Sequence, residues 1–347
     1  MVNMQELTIR RPDDWHLHLR DGAILASVLP FTARRFARAV VMPNLTPPVT
    51  TTAAALAYRE RIRAALPAGA DFTPLMTLYL TDSTAREEID RAAASGAVIG
   101  CKLYPAGATT HSAAGVTDVR RLDAVFERMS ERSLTLQVHG EVVDPATDIF
   151  DREALFIEQV LAPLVERHPR LHVVFEHVTT RAAVEYVCGA RPGVAATVTP
   201  QHLLLNRNAL FQGGIRPHLY CLPVLKREAD REALRAVVAA GNPRFFLGTD
   251  SAPHARHLKE AACGCAGIFS AHAGIELYAE VFEQLGALGR LEDFAAHFGA
   301  DFYGLPRNAG TLTLEKRSWS PPAAYPLSPG ELVPLRAGES VAWAVRG

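Results

Sequence analysis

Short apolar segments bounded by turn residues recur eight times along this chain, each followed by a stretch with helical spacing. They lie at 15–19, 39–42, 73–80, 98–104, 134–139, 172–177, 194–199 and 244–248. The spacing predicts helices between them over 51–66, 84–95, 119–132, 152–168, 181–187 and 228–240, with two more after the eighth segment over 271–285 and 291–298. Strand and helix alternating eight times in 347 residues is the pattern of an α/β fold of (β/α)8 barrel type rather than an open doubly wound sheet. The chain carries no glycine-rich dinucleotide or phosphate-loop motif that would favour the open sheet. From Thr311 the character changes. Pro321, Pro322, Pro326, Pro329 and Pro334 break any helix, and short alternating runs appear near 311–314 and 340–345. The expected organisation is one barrel over 1–310 and a C-terminal extension over 311–347 packed on it.

With 48% hydrophobic residues such a chain buries a large core, and a formal net charge of -1 offers no basic surface to a nucleic acid. A small-molecule partner is the default. The stretch from Met1 to Arg11 is polar, and no apolar run approaches the length that spans a bilayer, so the expected location is the cytoplasm. Five cysteines at 101, 188, 221, 263 and 265 form no disulfide framework. Cys263-Gly264-Cys265 reads as reduced thiols in a turn, with metal binding as the alternative.

Functional groups of such a barrel gather at the C-terminal ends of its strands. In Trp15-His16-Leu17-His18-Leu19, side-chain alternation sends His16 and His18 to one face and Trp15, Leu17 and Leu19 to the other. His-x-His on a strand is a metal chelate or, by itself, a polar patch. Lys102 lies late in the fourth segment, His139 and His177 end the fifth and sixth, and Asp250 follows the eighth. Closing the barrel brings the first and eighth segments together, so His16, His18 and Asp250 suit one metal ion and His139 and His177 a second. A lysine ammonium has no lone pair to donate and is repelled by dications. Lys102 is therefore a salt-bridged or Schiff-base lysine, or it is carboxylated to a carbamate whose two oxygens bridge both metals.

The motifs Arg10-Arg11-Pro12-Asp13-Asp14-Trp15-His16-Leu17-His18-Leu19-Arg20-Asp21-Gly22, Met42-Pro43-Asn44, Lys102-Leu103-Tyr104-Pro105, Val138-His139-Gly140-Glu141, Phe175-Glu176-His177 and Gly248-Thr249-Asp250-Ser251-Ala252-Pro253-His254 are spread from residue 10 to residue 254. Together they resemble the dihydroorotase family, in its bacterial single-function form within the amidohydrolase superfamily. The resemblance implies a homodimer that interconverts N-carbamoyl-L-aspartate and L-dihydroorotate, the third step of pyrimidine synthesis. It implies two zinc ions per subunit, bridged by carboxylated Lys102 and a hydroxide, with His16, His18, His139, His177 and Asp250 as the other ligands. Asp250 would also shuttle the proton between the attacking hydroxide and the departing amide nitrogen.

The substrate carboxylate, which takes no part in the reaction, needs a matched partner. Arg20 just past the first segment offers a planar fork of donors, the alternative being an ordinary surface arginine. The resemblance adds Asn44 and His254 to that carboxylate, and His18 and His139 to the substrate contacts. It places backbone groups of Leu222, Ala266 and Gly267 at the pyrimidine ring. The small, polar stretch 105–112 reads as a lid, from which Thr109 and Thr110 would reach the substrate. His168, His172, His257, His272 and His297 are expected to be structural, and His202 to stand behind the site.

Overall fold

The computed structural model describes residues 5–327 and 330–346; Met1 to Met4 and Pro329 lie outside the described residues. Thirteen strands run in chain order: β1 (Glu6–Arg10), β2 (Asp13–Leu17), β3 (Arg38–Val41), β4 (Thr73–Tyr79), β5 (Val98–Leu103), β6 (Thr135–Val138), β7 (Val173–Phe175), β8 (Val194–Val198), β9 (Phe245–Leu247), β10 (Thr311–Glu315), β11 (Tyr325–Pro326), β12 (Glu331–Leu332) and β13 (Ala344–Val345). Strands β2 to β9 form one parallel sheet in sequential order, and each coincides with one of the eight predicted segments. The last seam is closed by chain just beyond the strands. Asp250 N donates to His16 O (2.8 Å), His18 N donates to Ser251 O (2.9 Å), and Leu17 bridges Ser251 in parallel.

Outward positions such as Ala39, Val41, Leu136, Val173, Phe175 and Leu247 pack in a continuous core with the surrounding helices. Inward positions Val40, Met42, Val174, Ala195 and Phe246 form a separate cluster with Trp15 and Ala300 inside the barrel. Trp15 departs from the sequence expectation. It joins the barrel interior, whereas Leu17 and Leu19 pack in the outer core. The cause is a shift of register between Asp14 and Leu17 along β2, which breaks the alternation at Trp15. Trp15 stacks on Tyr303 with centroids 4.7 Å apart. A Cβ at residue 299 would lie 2.0 Å from the Trp15 indole nitrogen, so only glycine lets the helix Phe298–Phe302 come this close.

The predicted helices are present with shifted ends. The stretch 152–168 contains a π-helical turn at Ile157–Leu161, and the last predicted helix runs on to Phe302 through another at Asp293–His297. A further helix, Gly22–Arg35, lies outside the predicted set and carries Pro30 in its interior. It persists because Leu25, Val28, Leu29 and Thr32 face the core, and the side chain of Asp21 accepts a hydrogen bond from Gly22 N at its start. Strand β1, also unanticipated, pairs antiparallel with β10, which pairs in turn with β13, so the first and last parts of the chain share a small sheet. Among the described residues no helix is long and apolar enough to cross a membrane, and all five cysteines are free thiols.

Candidate active site

The C-terminal ends of the barrel strands bring His16, His18, Lys102, His139, His177 and Asp250 together, all buried. The imidazole centroids step across the mouth, with 5.5 Å from His16 to His18, 5.0 Å from His16 to His177 and 4.8 Å from His177 to His139. Asp250 Oδ1 sits 3.1 Å from His18 Nε2 and 3.4 Å from His16 Nε2. His177 and Asp250 hold φ of 41° and 45°, in the left-handed region that side chains other than glycine rarely adopt. Strained backbone at these two positions turns the chain sharply where the ligand-type side chains must face inward. A register shift between β4 and β5, past Val98, aims Lys102.

Behind these groups stands a set of buried carboxylates. Glu176 accepts from His16 Nδ1 (2.8 Å) and from Thr197 Oγ1 (2.5 Å), and Glu141 faces His139 Nε2 (2.8 Å). Asp14 accepts from Thr249 N (2.9 Å), Thr249 Oγ1 (2.6 Å) and His16 N (3.2 Å). His18 Nδ1 meets Asn44 Oδ1 at 2.7 Å. Each second partner fixes which ring nitrogen faces the centre: Nε2 of His16 and His18, and Nδ1 of His139. Glu176, Glu141 and Asp14 received no role in the sequence reading, although Glu176 adjoins His177 in the chain and Glu141 and Asp14 lie two residues from His139 and His16.

Burial sets the protonation states. It lowers the pKa of His16, and burial followed by the Arg20 charge takes His18 well below the usual histidine value. His177 is likewise held well down by burial and by the Lys102 charge. These three rings are neutral, the state in which imidazole donates a lone pair. Burial raises the Asp250 carboxyl and pushes Asp14 up to about 7, and it depresses Lys102 to about 8.

The residues fit a metal centre. Ligand atoms of His16, His18 and Asp250 lie within 4.8 Å of one another. Lys102 Nζ and His177 Nδ1 are buried with no hydrogen-bond partner among the described residues. A buried ammonium and a buried ring nitrogen left unpaired are costly, and a carbamate and a metal ligand respectively would relieve both.

The substrate-side residues line the same small cavity. His16, His18, Arg20, Asn44, Thr109, Thr110, His139, His177, Leu222, Asp250, Ala266 and Gly267 surround a space of about 20 Å3, and Tyr104, which the sequence reading had not assigned, joins them. Arg20, buried at φ 57°, donates through Nε to Pro253 O (3.2 Å) and lies 2.9 Å through Nη2 from His254 Nε2. His254 Nε2 is also 3.1 Å from Ala266 O. One ring nitrogen cannot serve both neighbours. Burial and then Arg20 depress His254 to about 2, which selects the neutral ring with Nε2 accepting from the guanidinium. Thr110 Oγ1 donates to Ala266 O (3.3 Å) and Asn44 Nδ2 to Thr110 O (3.2 Å), so the 105–112 loop lies against the site.

Gly267 lines the cavity and also ties the surrounding loops together. Its N–H donates to Tyr220 O (3.0 Å) and its carbonyl accepts from Lys259 Nζ (2.7 Å), so both backbone groups are engaged within the loops. Its φ is 149°, and a Cβ there would stand 2.7 Å from Ala252 O and 2.9 Å from the His254 ring. His202 bonds Thr199 Oγ1 and Pro223 O behind the site, while His168 and His297 pair with Asp123 and Asp293 away from it.

Residues 13–319 match the model of the amidohydrolase family. The dihydroorotase of Azoarcus sp. (strain BH72) is 66% identical, over 98% of this chain and 99% of that protein. The crystal structure of the Campylobacter jejuni dihydroorotase superposes with a TM-score of 0.91 at 34% identity, covering 100% of this chain and 99% of that one. The Saccharomyces cerevisiae dihydroorotase, solved in complex with 5-fluoroorotic acid, gives 0.92 at 32% identity over 99% of both chains. Likeness this close, over the full length and over a barrel mouth of this composition, means that the chain belongs to the amidohydrolase family and, within it, to the dihydroorotases.

Proposed function

We propose that this dihydroorotase closes N-carbamoyl-L-aspartate to L-dihydroorotate and water, and reopens it, at a centre of two zinc ions. His16, His18 and Asp250 would hold one ion, His139 and His177 the other, and Lys102, carboxylated on Nζ, both. The observation that carries this reading is the buried, unpartnered Lys102 Nζ among four histidines and an aspartate at the barrel mouth. When bound, the zinc ions supply an acidified water at neutral pH and polarise the ring carbonyl.

The remaining work belongs to the chain. Asp250 takes the proton of the attacking water and delivers it to the departing ring nitrogen, and reverses this in synthesis. Its burial raises its affinity for that proton. Arg20, Asn44 and His254 hold the substrate carboxylate, Arg20 and His254 pre-oriented by their mutual hydrogen bond and Asn44 by its bond to His18. Leu222 and Ala266 face the ring with His18 and His139, and Gly267 lines the same wall. A cavity of about 20 Å3 admits little more than one water-sized sphere, so Thr109 and Thr110 must swing out to admit substrate and return over it. The reading extends to a cytoplasmic homodimer in which 1–310 form the barrel unit and 311–347 its extension; light scattering tests the assembly.

Zinc-supplied protein should hydrolyse L-dihydroorotate, followed by ultraviolet absorbance, and leave hydantoin and dihydrouracil almost untouched. Turnover of the uncharged rings in its place would remove the role given to Arg20, Asn44 and His254. Protein prepared in 13C-bicarbonate should show one carbamate carbon signal by NMR, absent from Lys102→Arg; a signal in neither would overturn the bridge.

A further inference from the structure

Lys259 ends the short helix Arg256–Lys259 that follows the His254 loop, and nothing above gives it a task. It is 3% exposed. Its ammonium donates to three main-chain carbonyls, Tyr220 O at 2.7 Å, Cys265 O at 2.8 Å and Gly267 O at 2.7 Å, and has no carboxylate partner among the described residues. An ammonium has three N–H bonds, so each is used. Burying a cation away from any anion is costly, and burial depresses this lysine to about 8. A chain that retains such a group gains something that an apolar side chain would not supply.

The three carbonyls belong to two loops. Tyr220 precedes Leu222 after β8, while Cys265 and Gly267 flank Ala266 after β9. With the carbonyls of Cys265 and Gly267 both drawn to Lys259, the backbone groups of Ala266 between them face the other way. Ala266 O accordingly accepts from Thr110 Oγ1 at the cavity. The Gly267 N–H, on the Lys259 side, bonds Tyr220 O and ties the second loop to the first.

We infer that Lys259 is a positioning residue for the substrate ring: its ammonium gathers the carbonyls of Tyr220, Cys265 and Gly267 to one point and so turns the backbone of Ala266 and the Leu222 segment toward the cavity. The inference rests on the proposed reading in which Leu222 and Ala266 face the ring.

The test is steady-state kinetics of the zinc-supplied full chain. Lys259→Met keeps the apolar stem and removes all three donors; Lys259→Gln keeps two N–H bonds without the charge. The KM for L-dihydroorotate should rise roughly tenfold or more in Lys259→Met, with kcat changed less than about threefold, zinc content unchanged and Lys259→Gln intermediate. A KM within about twofold of the parent, with activity tracking only the folded fraction, overturns the proposal, as does a fall in kcat at constant KM. If Lys259→Met does not fold, an unchanged KM in Lys259→Gln decides against it. Amide hydrogen exchange of the parent enzyme with the equilibrium substrate mixture separates the two readings. Protection at 221–222 and 266 with an unchanged variant KM overturns the role of Lys259 alone, whereas no protection there overturns the ring wall and this inference with it.

Discussion

The carboxylate of Glu176 stands 2.8 Å from His16 Nδ1 and fixes that ring with Nε2 toward Asp250. Thr197 Oγ1 donates to the same carboxylate oxygen at 2.5 Å, so Glu176 is itself held in place. Glu176→Gln removes the charge and leaves a side chain of the same shape. Metal affinity should fall by roughly 10- to 100-fold, the usual cost of losing a ligand's outer partner. Competition with a chelator, read as bound zinc, checks this; unchanged affinity would mean that His16 is oriented by packing alone.

Among the described residues Arg20 is the one guanidinium lining the cavity and the group matched to a carboxylate. Arg20→Met should lower kcat/KM for L-dihydroorotate by roughly 10- to 100-fold, the worth of a charge-assisted hydrogen bond. The preference for dihydroorotate over uncharged dihydrouracil should shrink by a similar factor. Parallel assays on both rings measure it, and an undiminished preference would place the carboxylate elsewhere.

Three buried histidines outside the ligand set carry depressed pKa values: His202 at about 4, His254 at about 2 and His272 at about 3, each chiefly through burial. Their folded values lie below the unfolded value of 6.5, so above that pH both states are neutral and nothing is lost. As pH falls through 6.5 the unfolded chain takes up protons that the folded chain refuses. Each histidine then removes about 1.4 kcal/mol of stability per pH unit. Asp14, raised to about 7, works in the opposite direction over the same range, because the folded state holds its proton longer. In metal-free protein His16, His18 and His177 act in the same sense as these three histidines, and Asp250 and Glu153 in the same sense as Asp14, so the balance is a net loss. Urea midpoints of metal-free protein should fall from pH 7 to pH 5, and a flat profile would show that these rings are solvated.

Ring closure converts a dianion and one proton into a monoanion and water. The equilibrium ratio of dihydroorotate to carbamoyl-aspartate should therefore rise about tenfold for each unit that pH falls, while the carboxylates stay ionised. Chromatography of equilibrated mixtures at two pH values measures it. A pH-independent ratio is incompatible with the proposed substrate pair.

The eight barrel strands were legible in the sequence because each is a short apolar run between turn residues, a pattern local enough to read residue by residue. The six groups at its mouth were legible for a related reason, since the C-terminal ends of parallel strands face one way whatever the details of packing. The helix Gly22–Arg35 was not legible, since it carries Pro30 inside and is held by burial of Leu25, Val28 and Leu29 against the rest of the fold. Strand β1 was invisible because its partner β10 is some three hundred residues away, with Leu7 facing Leu314.

What the sequence by itself determined is the barrel, the order of its strands and the kinds of side chain at its open end, because strand periodicity and strand-end position are properties of neighbouring residues. What only the tertiary structure decided is how those side chains are held. The register shift that carries Trp15 inside, the carboxylates of Glu176, Glu141 and Asp14 behind the histidines, and the three carbonyls gathered by Lys259 all depend on loops and strands meeting in space. Hydrogen-bond partners and burial set tautomers, charge states and backbone direction, and those contacts are made between segments far apart in the chain.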